Sequence, residues 1–189
     1  MSVKIGFAIC GSFCTFSKIF NVIENLVNKG YDVYPIMSFN AYNTDTRFGL
    51  AEENRNKIKN ICNRNIIADI KDAEPIGPKK LIDLLIVAPC TGNTLGKLAA
   101  GIADTPVTMA TKAHLRNQKP VLIGVSTNDG VSTSAKNIGL LLNQKNIFFI
   151  PIRQDDAVNK PLSIVADFDL TEAAIKEALN YRQFQPVYI

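Results

Sequence analysis

Five short apolar runs with little polar alternation punctuate the chain: VKIGFAIC at 3–10, YDVYPIM at 31–37, LLIVA at 84–88, VLIGV at 121–125 and NIFFI at 146–150. Runs of that length and continuity predict strands buried on both faces. Between them the apolar spacing changes to threes and fours. Phe16, Ile19, Phe20, Ile23, Leu26 and Val27 form one side of a helix that Gly30 is placed to stop. Residues 51–62 carry a charged, weakly amphipathic helix, and 93–102, 106–116, 133–144 and 171–181 also read as helical. The stretch 40–50 is polar and turn-rich, and Pro75, Gly77 and Pro78 punctuate a loop. Strands alternating with helices predict a parallel sheet covered on both faces. Residues 1–189 therefore read as one α/β domain, a doubly wound, three-layer sandwich of Rossmann or flavodoxin type.

In sheets wound this way, ligands sit beyond the carboxyl ends of the strands, where the strand order reverses. The candidates are then the residues that follow each run. They are Gly11, Ser12 and Phe13 after the first, Ser38 after the second, Pro89 to Thr94 after the third, and Ser126, Thr127, Asn128 and Asp129 after the fourth. All four segments bring hydroxyl or amide groups to one edge. Gly11-Ser12 opens a helix, whose free N–H groups and positive dipole end favour an anion; Ser12 is equally a good helix cap. GFAICGSF is neither a GxGxxG fingerprint nor a lysine-bearing phosphate loop, so ATP hydrolysis is not expected. Asn93 and Thr94 read either as ligand contacts or as cap and first-turn residues. Arg47, in the polar stretch after the second strand, suits a carboxylate by its planar fork or stands as a solvated surface charge. The same choice holds for Lys112 and Arg116.

Composition narrows the function classes. The net charge of +4 is mild and no Lys/Arg block exists, so nucleic acid is not an expected partner. No apolar stretch approaches the ~18 residues of a membrane span, and no signal pattern opens the chain, which predicts a cytoplasmic protein. Cys10, Cys14, Cys62 and Cys90 show neither disulfide nor CxxC spacing. They read as small apolar packing residues, with no metal site expected. His114, the single histidine, lies in a predicted helix and reads as structural.

The segment IVAPCTGNTLGKLAAGIADT (86–105) resembles the Pro-Ala-Ser-Ala-Asn-Thr signature of the flavoprotein family that holds the FMN-dependent cysteine decarboxylases and the flavin prenyltransferases. The match runs through Pro89, Thr91, Asn93, Thr94 and Asp104, joined by Gly11 and Ser12. The resemblance implies bound FMN, with its phosphate on the Gly11-Ser12 segment and the flavin ring and substrate beside Asn93-Thr94. It also implies trimer-based homo-oligomers, in which Ala99-Ala100-Gly101 would permit close helix packing. Cofactor contacts are accordingly expected at Gly11, Ser12, Phe13, Ser38, Pro89, Thr91, Asn93, Thr94, Ser126 and Thr127, and catalytic roles at Asn93 and Arg47.

TDTRFG (44–49), AEPIGPK (73–79), KAHLRNQKPVLIGVSTNDG (112–130) and KNIFFIPIRQDD (145–156) extend the likeness to one branch of the family. Its members are the second chains of two-component synthases that make a pyridine dicarboxylate from a dihydro precursor of the lysine pathway. That implies an oxidoreductase acting with a partner chain on a small dicarboxylate in the mother cell of a sporulating bacterium. Flavin, or NADP on the partner chain, would accept the hydride. The chain departs from the decarboxylases twice. AEPIGPK has no His where they carry a catalytic one, and Ser126-Thr127-Asn128-Asp129 replaces their Met-Asn motif. Cysteine decarboxylation is therefore not expected, and the rival readings are another FMN-dependent decarboxylase or prenyltransferase of the family, or a non-catalytic partner.

Overall fold

The computed structural model describes residues 2–189. Strands β1 (Lys4–Ile9), β2 (Asp32–Met37), β3 (Leu84–Cys90), β4 (Val121–Thr127) and β5 (Ile147–Phe149) are parallel, in the order β2-β1-β3-β4 with β5 beside β4. All seven residues of β3 are buried, as its uninterrupted apolar run requires. Side chains alternate between two cores. Ile5, Phe7 and Ile9 face the layer of α1 (Phe16–Asn28), α3 (Ala51–Cys62) and α8 (Thr171–Leu179). Ala8 and Cys10 face α5 (Gly92–Ala99), α6 (Pro106–Leu115) and α7 (Ala135–Leu142). Two short helices, α2 (Phe39–Asn43) and α4 (Ile70–Ala73), complete the connections.

The sheet is mixed rather than wholly parallel. An antiparallel hairpin, β6 (Ile152–Asp156) and β7 (Lys160–Ala166), extends it. β5 and β7 share one edge of β4: β5 pairs with Val121–Ile123, and β7 takes over at Ser126 and Thr127. The apolar pattern gave no sign of this hairpin because Arg153, Gln154 and Asp155 are exposed and Pro161 interrupts the run. Its turn is made by Asp156, whose carboxylate accepts from the N–H groups of Val158 and Asn159. The hairpin joins β4 at the residues that precede Asn128 and Asp129, which places it at the ligand edge of the sheet.

His114 is buried in α6, with Nε2 3.1 Å from the Pro120 carbonyl. Burial pushes its pKa down from 6.5 to about 4, against the opposing effect of the Pro120 hydrogen bond. Between those values the unfolded chain binds a proton that the folded chain refuses, so the stabilisation present above pH 6.5 is lost as pH falls toward 4. The loss reaches about 3 kcal/mol at ~1.4 kcal/mol per pH unit. Urea unfolding from pH 7 to 4 is expected to show this decline, and a His114→Gln variant to lack that component whatever its baseline.

Candidate functional site

Strand β1 has β2 on one side and β3 on the other, so the strand order reverses at β1/β3. There the carboxyl ends of β1, β3 and β4 open into a cleft of about 430 Å³. It is lined by Gly11, Ser12, Phe13 and Cys14 after β1, Thr91, Gly92 and Asn93 after β3, Ser126 to Asp129 at the end of β4, and Phe48 from the loop before α3. Three of the four post-strand segments thus meet in one place.

One end of the cleft is a hydroxyl cluster. Ser12 Oγ lies 2.8 Å from Ser126 Oγ and 3.2 Å from Thr15 Oγ1, and Thr15 and Ser126 are 3.0 Å apart. Ser12 does not cap a helix with its side chain. A 3-10 turn, Phe13–Thr15, leads into α1, and the first N–H groups of such a turn have no partner within it. Gly11 leaves its Cα bare, and the Phe13 ring stands 3.4 Å from where a Cβ would be. Cys14 is exposed at this end, unlike the buried packing expected of it. These neutral donors, free N–H groups and bare backbone fit the phosphate end of a flavin mononucleotide.

The other end is organised by Asp129. Its Oδ1 accepts from Thr127 Oγ1 at 2.5 Å and from Ser134 Oγ at 2.8 Å, while its carbonyl accepts from the N–H groups of Ser132 and Ser134. This network lies against Gly92, where an added Cβ would meet Asp129 Oδ1 and Ser134 Oγ at 2.6 Å and Thr127 Oγ1 at 2.7 Å. Gly92→Ala is therefore expected to cost about 1–3 kcal/mol by overpacking. A lowered thermal midpoint would show it, and an unchanged one would mean that the loop yields freely.

Thr91, not Asn93, caps α5: its hydroxyl accepts from the Thr94 N–H. Asn93 is exposed in the first turn and makes no side-chain hydrogen bond among the described residues. Thr94 is buried behind the cleft, where its hydroxyl bonds to Thr91 Oγ1 and to Cys10 Sγ. Pro89 is buried as well, and its carbonyl accepts from the Cys10 N–H at 3.2 Å. Ser38 lies outside the cleft lining and caps α2 by accepting from Ala41 N–H. Thr94 and Pro89 thus stand behind the cleft instead of facing its contents, and Ser38 serves α2.

Cys10 and Cys90 are buried beneath the same segment. The Cys10 thiol is drawn below its ordinary value by hydrogen bonds, chiefly from Cys90 and then from Thr94, while burial pushes the Cys90 thiol well up. Arg47, expected to be catalytic, is exposed and outside the cleft lining, its guanidinium carbon over the Phe48 ring at 4.9 Å from the centroid. Lys112 and Arg116 border a separate groove between α5 and α6. Asp104 pairs with Lys97 at 2.8 Å, away from the cleft lining. His114 takes no part in the cleft. Sequence reasoning missed Phe48 and Thr15. Phe48 lay in a polar, turn-rich stretch from which only Arg47 was singled out, and Thr15 showed no feature beyond its place near Ser12.

Among the described residues no group of three or more His, Cys, Asp or Glu side chains could hold a metal ion, and no helix is long and apolar enough to cross a membrane. The family model described as Flavoprotein matches residues 1–179. The chain is 45% identical over 98% of its length to the dipicolinate synthase B subunit of Bacillus subtilis (strain 168), covering 93% of that protein. The crystal structure of the dipicolinate synthase B subunit from Bacillus halodurans superposes with a TM-score of 0.91 at 42% identity, over 100% of this chain and 98% of that one. The FMN-dependent cysteine decarboxylase SpaF shares the fold, with a TM-score of 0.68 at 21% identity over 94% of this chain and 95% of that one. The switch-point cleft and these likenesses lead to one conclusion: the chain belongs to the Flavoprotein family.

Proposed function

We propose that the chain acts as the B subunit of a dipicolinate synthase, working with the A subunit to form pyridine-2,6-dicarboxylate from a dihydrodipicolinate-type precursor. The observation that carries this reading is the convergence of Ser12, Ser126, Asn93 and Phe48 on one cleft, with Thr15 buried behind Ser12 and Ser126, in a chain similar over nearly its whole length to subunits of that name. The overall change removes a hydride equivalent and a proton from the ring. FMN, when bound, supplies a two-electron acceptor; NADP on the A subunit is the other candidate acceptor.

The residues divide the work. Ser12, Thr15 and Ser126 would hold the FMN phosphate by hydroxyl donation, with Gly11 and Phe13 flanking it. Asn93 offers an N–H donor to a substrate carboxylate, and Arg47 offers a planar pair of donors to another. The absence of the single histidine from the cleft separates this reading from a decarboxylase that depends on one. The test is product formation by the isolated A subunit, by this chain alone and by the two mixed. Product only from the mixture supports the reading, and full activity from the isolated A subunit overturns it.

The family likeness supports a homo-oligomer built on trimers, and the exposed Ile102 beside the α5–α6 groove is an apolar side chain that such a contact would cover. Light scattering at micromolar concentration should give a mass that is a multiple of three chains; a monomer would contradict it.

A further inference from the structure

The loop before α3 is a hydrogen-bonded turn that carries a half-exposed aromatic ring. Thr46 and Gly49 exchange both backbone hydrogen bonds at 3.1 Å, Phe48 N–H donates to Thr46 Oγ1, and Ala51 N–H donates to Asp45 at 2.8 Å. Gly49 sits at φ +136°, a backbone conformation that side chains other than hydrogen rarely adopt. So fixed, the turn holds Phe48 at the cleft with half of the residue (50%) exposed, while the Arg47 guanidinium lies 4.9 Å from its ring centroid. A large aromatic side chain held half in water by a pinned backbone lacks the burial that its apolar area favours. Arg47, over that ring and just outside the cleft lining, adds a cation with a carboxylate-matching fork to the same turn.

We propose that Phe48 and Arg47 form a recognition wall for a flat ring bearing a carboxylate: the ring stacks on Phe48 while the carboxylate takes the Arg47 fork. This rests on the dicarboxylate reading above and adds a specificity-determining residue to it. Stacking strengthens as a ring flattens, so the wall holds an aromatic, product-like ring better than a puckered precursor. That is the direction in which differential binding assists aromatisation.

Calorimetric titration with pyridine-2,6-dicarboxylate and with its saturated counterpart, piperidine-2,6-dicarboxylate, tests it, alongside a parallel titration with FMN. The wild-type chain is expected to prefer the aromatic diacid by on the order of tenfold. Phe48→Leu should erase that preference and leave FMN affinity unchanged, and Arg47→Gln should weaken both diacids alike. An unchanged preference in Phe48→Leu overturns the proposal, as does a loss of FMN affinity in its place, which would make flavin the stacked ring. Unaltered diacid affinity in Arg47→Gln overturns the carboxylate half. If the wild-type chain binds neither diacid, the underlying reading of function fails; binding with no dependence on Phe48 fails this inference alone.

Discussion

Asn93→Asp is expected to abolish product formation by the mixed subunits while leaving the chain as stable as before. The side chain is exposed in the first turn of α5 and is not the cap, so the change breaks no intramolecular bond. A carboxylate there also suits the positive end of the helix, by roughly 0.3–1 kcal/mol. Against a dianionic substrate the same charge is repulsive. Unit charges ~4 Å apart near a protein surface interact by about 4 kcal/mol, on the order of a thousandfold in rate. Thermal unfolding and the mixed-subunit assay, run on one preparation, separate the two effects. Wild-type activity in Asn93→Asp would remove this residue from the substrate site.

The second large effect is on flavin. Ser12→Ala leaves Thr15 and Ser126 bonded to each other at 3.0 Å and removes no helix cap, so the local structure should persist. What is lost is one hydroxyl donor to a charged phosphate, worth about 1–3 kcal/mol. FMN titration followed by flavin fluorescence should then show affinity reduced roughly tenfold to a hundredfold. Equal affinities would place the phosphate elsewhere.

The parallel core was legible in the sequence because both faces of its strands are covered, which writes burial as continuous apolar runs such as LLIVA. The ligand edge was legible for a related reason: small polar residues follow several such runs at once, which the burial of a core alone does not call for. The β6–β7 hairpin was not, since Arg153, Gln154, Asp155, Lys160, Pro161 and Leu162 all face outward and only Ile152, Ser163, Ile164 and Ala166 of it are buried. Within the site, residue type could not tell wall from contents. Ser12 and Ser38 are both serines after a strand, yet one joins a hydroxyl cluster and the other caps a five-residue helix. That difference depends on whether β4 brings a partner, Ser126, across more than a hundred residues of chain. Phe48 was hidden in the same way, because its exposure follows from a backbone turn and not from hydrophobic spacing.

The central claim is that the cleft at the carboxyl ends of β1, β3 and β4 holds FMN by its phosphate. A crystal structure of the chain saturated with FMN tests it most directly. Phosphate oxygens are expected within hydrogen-bond reach, about 2.6–3.2 Å, of the Ser12, Thr15 and Ser126 hydroxyls, with the flavin ring running toward Asn93. Flavin bound instead in the groove beside Lys112 and Arg116, or no flavin bound at saturating concentration, would contradict it.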